Sequence, residues 1–177
     1  MHGIYMITGI MASGKSTVAE LLAKKYPRGV HLRGDRFRRM IVAGREDMGA
    51  DPSDEAFAQL NLRYDLSAQV AQRYHEAGFD VIWQDVMIGR VLPEVVARVS
   101  ARPLYLIVLC PDPIVVARRE VLREKTGYGR GFTPENMHRV LMGETKPMGL
   151  WLDTSDMTAE QAADEIYRRT QNGEGQL

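Results

Sequence analysis

Residues 9–16 read Gly9-Ile10-Met11-Ala12-Ser13-Gly14-Lys15-Ser16, and GIMASGKS satisfies the pattern G-x-x-x-x-G-K-[ST] at every fixed position. The context that the pattern requires stands on either side. Ile4 to Thr8 is a short apolar run that predicts a strand. Lys15 to Tyr26 carries Val18, Leu21, Leu22 and Tyr26 on one stripe, which predicts a helix, and Pro27 ends it. A glycine turn before a helix also arises by chance, but the flanking strand and helix select the functional reading. Gly9 and Gly14 let the backbone wrap tightly and aim successive N–H groups at phosphate oxygens. The positive end of the helix adds a favourable field. Lys15 then reaches the β- and γ-phosphates, and the Ser16 hydroxyl ligates magnesium. Gly9, Ala12, Ser13, Gly14, Lys15, Ser16 and Thr17 are therefore read as a cradle for ATP with Mg2+.

Working outward, the chain alternates short apolar runs with amphipathic segments, the pattern of an α/β fold with a parallel sheet. Gly29 to Leu32 is a weak second strand leading into Gly34 and Asp35. Ile41 to Pro52 is polar, contains Gly44 and Gly49, and reads as a mobile connection. A long helix is expected over Asp54 to Ala77, with Phe57, Leu60, Tyr64, Ala68 and Ala71 in helical period and Gly78 as its stop. Asp80 to Gln84 is the third strand and Leu104 to Cys110 the fourth, with a short helix over Leu92 to Val99 between them. A helix starts at Pro113 and runs to about Lys125, where TGYGRGFTP interrupts regular structure. Glu135 to Gly143 predicts a small helix and Gly149 to Leu152 a fifth strand. Thr158 caps a last helix with Ala159, Ala162, Ala163, Ile166 and Tyr167 on one face, and residues after about Thr170 are expected to fray.

A chain of 177 residues that is 45% hydrophobic suits a single domain, 1–177, with a lid at about 126–134 and a flexible acceptor-side region at about 36–53. Lys plus Arg and Asp plus Glu each number 23, so no global field draws the chain to nucleic acid or an anionic membrane. The one cysteine, Cys110, excludes an internal disulfide framework and is expected to be a buried structural thiol. The N-terminus lacks a basic leader, and no apolar stretch nears the ~20 residues that span a bilayer. A soluble, cytoplasmic protein is the expectation.

The phosphate loop alone does not separate a kinase from a GTPase or a transporter ATPase. No N-K-x-D base-reading motif occurs. A transporter or AAA-type ATPase would usually be longer, with an apolar run ending in Asp-Glu. The order GIMASGKST, RGDRF, VIWQDV, an arginine-bearing helix with a glycine-rich loop, then WLDTS resembles small P-loop kinases, above all the chloramphenicol phosphotransferase-like group. Gluconate kinases, shikimate kinases, zeta-toxin-type kinases and polynucleotide kinase domains are its wider kin. The resemblance covers nearly the whole chain, although only the phosphate loop is highly specific. It implies a P-loop NTPase fold: a five-stranded parallel sheet in the order 2-3-1-4-5, with helices on both faces and a small lid.

Asp35 follows the second strand, and in a doubly wound sheet that end faces the ligand crevice. By resemblance, Asp35 takes the proton of the attacking hydroxyl or hydrogen-bonds it into line; the competing reading is a helix cap. Asp85 ends the third strand, where the resemblance places an acidic residue near the magnesium or the acceptor. Gln84 beside it departs from the paired aspartates of chloramphenicol phosphotransferases. Arg119 and Arg123 share a helix face, and the resemblance puts Arg119 on the adenine and Arg123 at the phosphates. Arg130, flanked by glycines, is placed to close over the transferring phosphoryl group. For each arginine the alternative is a surface charge, with Glu120 and Glu124 at hand.

The acceptor site is expected between residues 36–52, the start of the long helix and the loop after Asp85. Met40, Ile41, Val42, Met48, Phe57 and Met87 would line it, ringed by Arg36, Arg39, Arg45, Arg63 and Arg90. Arg36 and Arg39 are the candidates for an acidic group on the acceptor. A small hydroxylated molecule, such as an antibiotic or a sugar-like alcohol, fits this description best. A nucleoside, nucleotide or nucleic-acid 5′-hydroxyl kinase and a non-catalytic nucleotide-binding module are the rival classes. His2, His31, His75 and His138 show no metal-ligand spacing.

Overall fold

A computed structural model describes residues 2–49, 51–122, 127–129 and 131–177. Five strands, β1 (Ile4–Thr8), β2 (Gly29–Arg33), β3 (Asp80–Gln84), β4 (Leu104–Leu109) and β5 (Leu150–Leu152), form one parallel sheet in the order β2-β3-β1-β4-β5. This is the predicted order. β1, β3 and β4 are buried along their whole lengths. Helices cover both faces, so the strands read as continuous apolar runs rather than alternating ones.

Successive side chains leave opposite faces of a strand, and this divides the core in two. Met6 and Trp83 face one side, with Tyr64 and Ala68 of α3 (Asp54–Glu76) and Leu92 and Val95 of α4 (Leu92–Ala97). Ile7 and Ile82 face the other, with Val18 and Leu22 of α1 (Lys15–Ala23) and Ala163 and Ile166 of α7 (Ala159–Gln171). Three further helices are α2 (Asp35–Arg39), α5 (Pro113–Val121) and α6 (Pro134–Glu144). Side chains fix several helix starts. Ser53 accepts from the Ala56 N–H before α3, and Thr133–Asn136 and Thr158–Gln161 form capping boxes before α6 and α7.

Several expectations are corrected. α1 stops at Ala23 and does not reach Tyr26. Tyr26 packs its ring against Tyr5 at 5.1 Å and Tyr167 at 5.3 Å, tertiary contacts that outweigh helix continuation. α5 buries Val116 alone; Ile114 and Val121 stand exposed. Its expected extension to Lys125 lies outside the described residues. The tail after Thr170 is held rather than frayed. Leu106 N–H donates to Gly175 O at 2.9 Å, and Leu177 N–H donates to Leu104 O at 2.9 Å. β5 is too short to cover β4, pairing only with residues 107–109, so the tail satisfies the backbone groups left at 104–106. Cys110 is half-buried, and burial pushes its thiol above the usual value, with Asp153 adding to the effect. Among the described residues, no helix is long and apolar enough to cross a membrane.

Candidate active site

One cleft of 1660 Å³ opens at the carboxyl ends of the strands, where a doubly wound sheet binds ligands. Its floor is the loop between β1 and α1. A Cβ on Gly9 (φ 147°) would lie 2.5 Å from Leu109 O, so only glycine fits there. Ala12 (φ 58°) and Gly14 (φ 93°) take left-handed conformations, and at Ala12 a non-glycine residue holds that strain. Lys15 is buried, and its ammonium donates to Ile10 O at 2.6 Å, folded back onto its own loop. Ala12, Ser13, Gly14, Lys15, Ser16 and Thr17 all line the cleft, with Ser16 and Thr17 exposed. Across the loop, the Tyr128 hydroxyl donates to Met11 O at 2.7 Å, and the Gly127 N–H donates to Glu120. This donor set fits a magnesium nucleotide: backbone N–H groups and an ammonium for phosphates, and a free-standing hydroxyl for the cation. Among the described residues, no group of three or more His, Cys, Asp and Glu is gathered as for a metal.

At the base end, Arg119 donates from Nη2 to Thr154 O at 2.8 Å, tying α5 to the loop after β5. Thr154 is buried, lines the cleft, and keeps a hydroxyl with no hydrogen-bond partner. Met157, Ala159 and Ala162 complete an apolar wall beside it.

The acceptor end is built around two carboxylates. Asp35 begins α2 and makes no capping bond, so the competing cap reading finds no support in its geometry. Arg39 Nη2 lies 3.1 Å from Asp35 Oδ2, and Arg33 Nε lies 3.7 Å from Oδ1. Oδ1 is buried and, among the described residues, has no hydrogen-bond partner. Asp85 is fully engaged: Arg63 grips both of its oxygens, with Nε–Oδ2 at 2.8 Å, and the Val86 N–H donates to Oδ1 at 2.7 Å. Burial weakens the hold of Arg63 on its proton, with Tyr64 and Asp35 pulling the other way without cancelling the effect. Gly34 permits the arrangement, since a Cβ there would lie 2.0 Å from Asp85 Oδ2.

Lys15, Ser16, Asp35, Arg39, Asp85 and Arg119 thus share one cleft, as the sequence placed them. Arg36 does not: it is exposed and outside the lining, and Arg38 lines the cleft instead, paired with Asp47. Positions 35, 38 and 39 share one face of a helix, whereas position 36 is turned about 100° away. Arg123 and Arg130 lie outside the described residues. The apolar lining also differs. Met48 and Phe57 contribute, but Met40 and Val42 are solvent-exposed, Ile41 is not in the lining, and Met87 is wholly buried beneath Thr8. Leu60, Tyr64, Val86, Ile88 and Val91 supply the wall. The sequence reading missed Arg33, Arg38, Asp47 and Tyr128. Of these, only Tyr128, inside the glycine-rich lid segment, carried a usable signal.

The phosphate loop, the parallel sheet order and the cleft above it define a P-loop NTPase fold. The chain belongs to the AAA domain family, whose model matches residues 4–146. A search of curated proteins found no match. Solved structures match over nearly the full chain. A sugar kinase from Janibacter sp. HTCC2649 is similar at 15% identity, covering 97% of this chain and 95% of that one, with a TM-score of 0.69. The tunicamycin resistance protein of Deinococcus radiodurans is similar at 20% identity, covering 96% of each chain, with a TM-score of 0.69. The APS kinase of Mycobacterium tuberculosis, solved with AMPPNP and APS, is similar at 18% identity, covering 96% and 98%, with a TM-score of 0.67. At these identities the likeness is one of fold.

Proposed function

We propose that this protein is an ATP-dependent phosphotransferase that moves the γ-phosphate of Mg-ATP to a hydroxyl of a small molecule, such as an antibiotic or a sugar-like alcohol. The observation that carries the reading is the buried Asp35 Oδ1, without a hydrogen-bond partner, in the same cleft as the phosphate loop. Asp35 accepts the proton of the acceptor hydroxyl as its oxygen bonds to the γ-phosphorus. The bond from that phosphorus to the bridging oxygen breaks, and ADP leaves with the electron pair. Lys15 turns from Ile10 O toward the β- and γ-phosphates. Ser16 would hold the magnesium ion, which supplies charge neutralisation along the phosphates. Asp85 acts through Arg63, fixing the guanidinium at the acceptor side, and Arg39 orients Asp35. Arg123 and Arg130 are proposed to meet the transferring charge from the lid, and Arg119 to border the adenine. A reducing cytoplasm suits the one cysteine, Cys110, which is free.

The test is Asp35→Asn, assayed by ADP release with magnesium against hydroxylated acceptors. Turnover should fall roughly a hundredfold or more, the usual scale for a positioned base, while ATP affinity stays near that of the wild type. Full activity in the Asn variant would remove Asp35 from the mechanism.

A further inference from the structure

Apart from Lys15 and Arg119 at the nucleotide end, the described residues lining the cleft include six arginines and four carboxylates. This surplus of two positive charges sits in a chain whose formal net charge is zero. Most of the arginines are neutralised locally. Arg33 and Arg39 share Asp35, Arg38 pairs with Asp47, and Arg63 pairs with Asp85. Among the described residues, the Arg45 and Arg90 side chains have neither an ion pair nor a hydrogen bond, yet both line the cleft.

Both stand on backbone that is fixed. The buried Gln59 side chain clips the chain on either side of Arg45: its amide donates to Gly44 O at 2.8 Å and accepts from the Glu46 N–H at 2.9 Å. Arg90 lies in the 3-10 turn Gly89–Val91, where the Gly89 N–H donates to the buried Thr145 hydroxyl at 2.7 Å. A solvated surface charge does not require such anchoring. Two uncommitted guanidiniums on pinned backbone, facing one cleft, lower the ordering cost of binding an anion and match the geometry of a carboxylate or phosphate.

We propose that the acceptor is an anionic alcohol: beside the hydroxyl that Asp35 activates, it carries a carboxylate or phosphate that Arg45 and Arg90 bind. The inference rests on the kinase reading above. It also leaves the reacting group beside Asp35 neutral, with the acceptor's negative charge carried on a separate group.

Binding is read by calorimetry with the magnesium complex of a non-hydrolysable ATP analogue present. The probes are gluconate, glucose 6-phosphate and the neutral glucitol. One of the two anions should bind roughly tenfold or more tighter than glucitol, the scale of a charge-assisted hydrogen bond, and which one binds identifies the acidic group. The preference should vanish in the R45Q/R90Q double variant, whose melting temperature should be unchanged because both side chains are exposed. Equal affinity for all three probes, no binding of either anion, or a preference that survives R45Q/R90Q would overturn the proposal. ADP release from the same mixtures with ATP separates the two readings. Arginine-dependent anion binding without ADP release sinks the kinase and leaves the anion site. Equal turnover of glucitol and the anions does the reverse.

Discussion

Asp85→Asn is the substitution that tests most about this site. The Asp85 side chain is 1% exposed and that of Arg63 12%, so the pair is largely shielded from water. Asparagine keeps the volume but turns one acceptor oxygen into a donor. Arg63 and the Val86 N–H together supply donors to both positions, so the new NH2 must face a donor wherever it turns. It also leaves the guanidinium buried without a countercharge. Breaking a buried pair from one side costs about 3–5 kcal/mol. For a domain of this size that corresponds to a fall in melting temperature of about 10 °C. The assay is thermal unfolding followed by circular dichroism. Adding Arg63→Met removes the orphaned charge, so the double variant should regain at least half of the loss. Suppose instead that Asp85→Asn melts within about 2 °C of the wild type but loses magnesium-dependent ATP binding. Asp85 would then be a metal ligand, as its position in sequence suggested, and its assignment as the partner of Arg63 would be wrong.

Three further outcomes follow from particular contacts. Gly34→Ala pushes a methyl group to 2.0 Å from Asp85 Oδ2 and should destabilise by about 1–3 kcal/mol in urea unfolding; an unchanged midpoint would show that the strand end gives way freely. Gln59→Leu unclips Gly44 and Glu46, removing two hydrogen bonds from exposed backbone at about 0.5–1.5 kcal/mol each. It should raise the acceptor KM several-fold more than the ATP KM, a split that a general loss of packing would not produce. Burial raises the Cys110 thiol above its usual value, so the neutral form is favoured in the fold. Iodoacetamide at pH 8 should label Cys110 more slowly in the native protein than in urea, and the stability this group adds should fade as pH rises through the raised value. Equal labelling rates would mean an open, ordinary thiol.

Much of the fold was legible because burial makes it so. β1, β3 and β4 are covered on both faces, and their unbroken apolar runs marked them to within a residue at each end. β2 lies at the sheet edge with only Leu32 buried, and its faint signal in GVHLR reflects that. The phosphate loop was legible because its chemistry is local, one strand, one turn and one helix in sequence. The tail after Thr170 was not. What holds it is a gap beside β4 that opens because β5 has three residues, and nothing within QNGEGQL announces that partner. Arg38 was passed over for Arg36 for a similar reason. Starting α2 one residue earlier, at Asp35, puts positions 35, 38 and 39 on one face, and a shift of one residue lies within the ordinary uncertainty of a helix end.

The two strand-end aspartates show where such reading stops. Asp35 after β2 and Asp85 after β3 occupy equivalent places in a doubly wound sheet, and sequence gave both a direct part in the chemistry. A third element separates them. Arg63 sits in the middle of α3, 22 residues before Asp85, and although the sequence sets it among the arginines around the acceptor, nothing there pairs it with Asp85 rather than leaving it exposed like Arg73 beside Glu76. Packing α3 against the sheet brings Arg63 onto Asp85 and engages both its oxygens, while Asp35 Oδ1 accepts no hydrogen bond among the described residues and has only the Arg33 guanidinium nearby, at 3.7 Å. A carboxylate whose acceptor positions already face fixed donors cannot take up a hydroxyl proton without breaking those bonds; one with an unused oxygen in a cleft can. In the proposed reaction, the choice of base therefore depends less on the aspartates than on which of them a distant arginine has already claimed.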